Sequence, residues 1–257
     1  MAISAKCTMA HLPGAEVALF RFLFGLCAFG VAASRLRLQV VNLRGLVLRG
    51  LFGALAVLLY FIAISKIPVG AATLLTYTAP IFTALFAALF IGERLTLSTF
   101  LALGLALVGV VLVLRDQAAG LGWGIWEACG LLSAVLSGAA VTTIRAVRKT
   151  DGSWEIFCAF CLVGVLVCAP LAVHQWVTPT ARDWQLLAAV GVLSISGQLL
   201  FTYALRHIRA ATAGVISQLT PVTAFALGAL LLHDPVRPPT LLGAALTLLG
   251  VAWGARY

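Results

Sequence analysis

The chain has 257 residues, 62% of them hydrophobic and only 10% charged, with a formal net charge of +9. A soluble domain carries about 25% charged residues, so a water-facing globule is excluded and an integral membrane protein is expected. The positive balance does not imply nucleic acid, because Arg and Lys cluster in short loops between apolar segments, where they set topology and meet anionic headgroups.

A membrane helix needs about 20 mostly apolar residues. Nine segments answer that description, at roughly 15–33, 46–64, 71–91, 97–114, 123–144, 155–174, 184–204, 211–232 and 239–255. Gly and Pro punctuate the short connections, as in Ile67-Pro68-Val69-Gly70, Asp151-Gly152 and Asp234-Pro235. The expected fold is an all-α membrane protein, a bundle of nine transmembrane helices.

The third and fourth segments recur in the eighth and ninth without a gap. Ala79-Pro80 leads into two apolar helices joined by Gly92-Glu93-Arg94-Leu95-Thr96, and Thr220-Pro221 repeats the design 141 positions later. At that offset Pro80 pairs with Pro221, Glu93 with Asp234, Gly109 with Gly250, Ala72 with Ala213 and Ala63 with Ala204. A fixed offset over such a span indicates internal duplication, with one copy over 1–118 and the other over 119–257. The second copy holds five helices and the first four. The expectation is therefore a ten-helix inverted-repeat architecture in which most of the first helix is missing from this chain.

One alternate set of loops and termini holds Arg35, Arg37, Arg44, Arg49, Arg94, Arg145, Arg148, Lys149, Arg206, Arg209 and Arg256, eleven in all; the other holds Lys6, Lys66, Arg115, Arg182 and Arg237, five. The excess puts the C-terminus in the cytoplasm. Five helices per copy, an odd number, insert the two copies upside down relative to each other, which is the construction of many secondary carriers.

Pro80 leading into Gly92-Glu93-Arg94-Leu95-Thr96 and the Gly-rich 103–114 helix, together with Arg21-Phe22 in the preceding helix, resembles the EamA module of the drug/metabolite transporters. The resemblance covers essentially the whole chain in both copies. It departs from the family at His233-Asp234-Pro235, where the acid is kept and the base is lost, and in showing nine helices against the family's ten. It implies a multi-pass carrier of small metabolites, amino acids or related amphiphiles, in a bacterial inner membrane.

Candidate cavity residues are the polar groups inside the apolar segments. Arg21 lies about two turns into its helix and Glu127 about one turn into its own, at comparable depth if both enter from the external face. A buried charge in lipid is a functional candidate by default, although a structural ion pair or an interfacial Glu127 explains the same residues. Thr76 and Tyr77 precede Pro80, and the offset places Ser217 and Gln218 before Pro221. A proline frees a carbonyl one turn back, so polar side chains beside such a break are placed to line a cavity. Gln198 is a further candidate, and hydrogen bonding between helices is the competing reading for all of these uncharged groups.

Other chemistries lack their residues. Cys158-Ala-Phe-Cys161 spells C-x-x-C inside an apolar helix with no partner His, so no metal is expected, and the four histidines are scattered at helix ends. No phosphate-binding Gly-Lys loop and no cluster of catalytic carboxylates is present, so the expectation is a carrier that is not an enzyme and holds no cofactor. The expected partners are a small-molecule substrate and membrane lipids, with a homodimer left open and nucleic acid excluded. The alternative is a membrane scaffold or an inactive truncated relative of such a carrier.

Overall fold

The computed structural model describes residues 8–9, 11–33, 39–114, 124–227 and 237–254, and helices are the regular structure throughout them. In chain order they are α1 (Gly14–Ala33), α2 (Leu43–Lys66), α3 (Val69–Thr76), α4 (Ala79–Phe86, continued by a π turn over Ala87–Ile91), α5 (Leu97–Leu114), α6 (Ile125–Val147), α7 (Ser153–His174), α8 (Ala181–Ala204), α9 (Ala210–Ser217), α10 (Leu219–Leu227) and α11 (Pro238–Gly254). Seven stretches among the described residues are long and apolar enough to cross a membrane, and α11 is a shorter apolar helix. Large apolar side chains such as Phe90, Leu97, Leu166 and Leu200 face outward, as expected where the surrounding solvent is lipid.

Helix bounds recur at the offset seen in the sequence. α3 and α9 occupy 69–76 and 210–217, and α5 begins at Leu97 where α11 begins at Pro238. The anticipated turn at His233-Asp234-Pro235 lies outside the described residues. In the first copy that turn is closed by Gly92, whose φ of 72° is comfortable only without a Cβ.

Two packing zones dominate. α5 lies along α11, and a second group unites α1, α2, α7 and α6, with α8 against α1. In the first zone small residues let backbones touch, as membrane interfaces favour. A Cβ on Gly109 would stand 2.5 Å from the Gly243 carbonyl oxygen, and one on Gly250 would stand 2.7 Å from the Ala106 nitrogen. Ala106 and Thr247, themselves 141 apart, meet at the crossing, where Thr247 Oγ1 donates to the Ala106 carbonyl at 3.4 Å.

Arg49 corrects the loop count. It lies in the second turn of α2 and is 3% exposed, so it is no loop cation. Without it the balance is ten against five, and the charge asymmetry keeps its sign.

Candidate solute-binding site

The expected breaks at Pro80 and Pro221 are present. α3 ends at Thr76 and α9 at Ser217, each four residues before its proline, which is the residue whose carbonyl the proline cannot serve. Side chains satisfy much of the loosened backbone: Thr76 Oγ1 donates to the Ala72 carbonyl at 2.9 Å, Thr78 to Leu75 at 2.6 Å, Ser217 to Gly214 at 2.6 Å and Thr220 to Ser217 at 2.9 Å. The hydroxyls of Thr76 and Ser217 are therefore turned onto their own helices.

The two broken segments touch. α9 packs on α4 where Gly214 faces Pro80; a Cβ there would lie 3.0 Å from the proline ring. Tyr77 packs on Val110, Val113 and Leu114 of α5, and its hydroxyl interacts with the Thr220 side chain across the bundle. Gln218 is fully buried, and among the described residues neither its Oε1 nor its Nε2 has a hydrogen-bond partner. Buried amides are ordinarily paired, and one left unpaired calls for an explanation.

Arg21 and Glu127 do not form the ion pair that is the competing explanation for them. α1 packs on α7, α8 and α2, whereas α6 packs on α2, α4 and α3, so equal depth along two helices does not make them neighbours. Arg21 Nε instead donates to Ser194 Oγ on α8, and its guanidinium lies 5.7 Å from the Phe22 ring centroid and 5.6 Å from that of Phe160. Glu127 sits half-buried in the first turn of α6, beside Trp126, whose ring takes the Lys66 ammonium at 5.7 Å. Gln198 donates to Thr202 on its own helix at 3.3 Å.

Arg49 was missed as a site residue because it lies close to the start of its helix. Its guanidinium stacks 4.1 Å from the Phe160 centroid, and its Nε and Nη1 are buried without an acceptor among the described residues. A signal was available in the sequence: Gly53 follows it by four, the spacing at which a missing side chain leaves room on one helix face.

Glu93 ties one end of the bundle together. Its carboxylate accepts from Arg145 Nε at 3.2 Å and from the Ala210 backbone N–H at 3.1 Å, at the start of α9. Arg145 Nη1 donates to the carbonyls of Leu205 and Arg206, both at 2.9 Å. One ion pair thus joins the α4–α5 turn, the end of α6, the end of α8 and the start of α9. Charge-assisted bonds of this kind are stronger than neutral ones.

Known proteins share this design. The chain is 36% identical over 206 residues to the pseudopaline exporter CntI of Pseudomonas aeruginosa, covering 77% of this chain and 70% of the exporter. It is 26% identical over 246 residues to a Streptantibioticus cattleyicolor protein named "Probable terminal-alkyne amino-acid exporter", covering 92% and 82%. A crystal structure of a protein 23% identical in sequence superposes with a TM-score of 0.74, covering 99% of this chain and 95% of the other, and shares its fold. The model of the EamA-like transporter family matches residues 1–115 and again 124–254. The chain belongs to the EamA-like transporter family.

Proposed function

We propose that this transporter moves small amphiphilic metabolites, amino acids or related compounds, outward across a bacterial inner membrane by alternating access, and moves them chemically unchanged. Two inverted repeats, 1–118 and 119–257, form the carrier, with the C-terminus in the cytoplasm. The solute binds between the two helix breaks, against Tyr77 and Gln218, near the bilayer midplane where such repeats meet.

The observation that carries this reading is Gln218. A fully buried side-chain amide with no partner on either atom among the described residues is unfavourable in an apolar bundle unless a ligand completes it. It stands at a break in α9–α10, whose first half packs on α4 close to the symmetry-related break. The recurrence of α3 in α9 and the crossing of Ala106 with Thr247 support the repeat arrangement. The Arg145–Glu93 pair, which joins four segments at one end of the bundle, is the contact that alternating access would have to open there. The names of two relatives as exporters, one of them of amino acids, favour the outward direction.

Counterflow in proteoliposomes tests the reading. Vesicles preloaded with an unlabelled amino acid should accumulate the labelled one transiently, across a panel of apolar and polar amino acids. No accumulation above protein-free vesicles for any amino acid would overturn the substrate class.

A further inference from the structure

We propose that Arg21 and Arg49 together bind a carboxylate of the transported solute, in the junction where α1, α2, α7 and α8 meet. The inference rests on the carrier reading and adds to it the charge of the cargo.

Helical side chains lean toward the N-terminus of their helix, and an arginine near a helix end normally extends outward to the interface. At Arg49 the outward direction is filled: a Cβ on Gly45, one turn back, would stand 2.5 Å from a Val147 methyl. The inward direction is open, because Gly53, one turn on, has no side chain, and a Cβ there would collide with Arg49 Nη1. The guanidinium therefore runs up α2 into the bundle, against Phe160.

Arg21 comes to the same ring from α1, held by Ser194. Ser194 is the residue that the 141 offset pairs with Gly53, so equivalent positions of α2 and α8 receive the two arginines. Two guanidiniums thus share one aromatic ring, and no described carboxylate reaches either. Glu93 is engaged with Arg145 and Asp183 with His11; Asp151, Glu155 and Glu16 accept from backbone N–H groups; Glu127 lies in the first turn of α6.

Two like charges in a low-dielectric interior repel, and ring contacts compensate only part of their lost hydration. A carboxylate would satisfy both, since the guanidinium fork matches its two oxygens. Tyr60 connects this junction to the helix breaks: it lies close enough to interact electrostatically with both Arg21 and Tyr77, and its hydroxyl is 3.4 Å from Thr73 Oγ1 on α3. Tyr60 thus stands between the arginine pair and the side of the bundle that carries the helix breaks.

The test compares free amino acids, their methyl esters, simple dicarboxylates, and chloride and phosphate at equal ionic strength. Readouts are ligand-dependent thermal stabilisation of the purified full-length chain and counterflow in proteoliposomes. The native protein should bind the free acids at least about tenfold more tightly than the esters, the size expected of a charged hydrogen bond. Arg49→Met should erase that preference while melting no lower than the native chain, and Arg49→Lys should restore part of it. Where Arg49→Met does not fold, Ser194→Ala serves, because it releases Arg21 without changing the charge; the preference should fall severalfold. Esters and acids exchanged alike by the native protein would overturn the carboxylate site and leave the carrier reading standing. Dicarboxylates bound through Arg49 with no amino acid bound would uphold the site and overturn the amino-acid class. An undiminished preference in Arg49→Met or Ser194→Ala, equal stabilisation by chloride or phosphate, or binding of none of these probes would each overturn the proposal.

Discussion

The α5–α11 seam and the α1–α2–α7–α8 junction hold helices together in the same bundle by opposite means. The seam is built from Gly109, Gly243, Gly250, Ala106 and Ala102, with backbones close enough that added methyl groups would strike main chain. Thr247, at the crossing, is already satisfied by its own Gly243 carbonyl at 2.9 Å. The junction packs side chain against side chain and holds two arginines and a serine around one phenylalanine. A charge at the centre of a membrane helix costs about 2.5–3.5 kcal/mol on insertion scales. Nothing in helix packing requires that expense, since the seam does without it. The contrast separates a seam that holds by close backbone contact from a junction where we propose that solute binds.

The strongest way to break the comparison is to fill the seam. Gly109→Leu should drive α5 and α11 apart, at or above the upper end of the about 1–3 kcal/mol typical of overpacking, because the obstacles are backbone atoms. Folded protein recovered by size-exclusion chromatography should fall sharply. Gly104→Leu, on the same helix but with nothing within 4 Å of its Cβ position, should melt like the native chain. Equal losses from both would mean that general bulk, rather than the seam, decides.

Next in size is the ion pair at one end of the bundle. Arg145→Met removes the partner of Glu93 and the donor to Leu205 and Arg206. Losing bonds to a charged group is worth about 1.5–3 kcal/mol each, and the two side chains, 22% and 11% exposed, are only lightly screened by water. The melting temperature should drop by a few degrees, and a fluorophore at the α8–α9 turn should report greater opening. An unchanged opening would show that the pair is ornamental to the transport cycle.

Much of this was legible in the sequence for reasons that are local. Apolar runs of membrane length gave α5 at 97–114 in full, and the prolines located both helix breaks, because a missing N–H acts four residues away whatever surrounds it. The offset between Tyr77 and Gln218 was readable from the repeat alone. What escaped depends on neighbours. Arg49 read as a loop cation because only the glycine at 53, the methyl of Val147 and the ring of Phe160 decide which way it turns. Arg21 and Glu127 read as partners because depth along a helix can be counted, whereas the helix that faces it cannot. Thr76 and Ser217 were identified at the breaks, but whether a hydroxyl faces a cavity or its own backbone is a rotamer choice.

A smaller effect sharpens the comparison further. Gln218→Leu replaces an unpaired buried amide with an apolar group of similar size, so stability should be unchanged or rise by about 1 kcal/mol. Counterflow should be lost in the same variant, a separation of stability from transport that no seam residue should show. Smallest of all, Thr247→Val removes one hydroxyl shared between its own Gly243 carbonyl at 2.9 Å and Ala106 at 3.4 Å, and should cost about 1 kcal/mol with transport intact.

The most direct test of a solute site between the helix breaks is protection from alkylation. With the six native cysteines replaced, Gln218→Cys would be treated with a membrane-permeant maleimide in proteoliposomes, with and without a solute shown to exchange. The account predicts reaction in the absence of solute and a severalfold slower rate at saturating solute, while Val192→Cys on the exposed face of α8 responds equally with and without it. Reaction at position 218 that the solute does not slow, in protein that still exchanges that solute, would contradict the site.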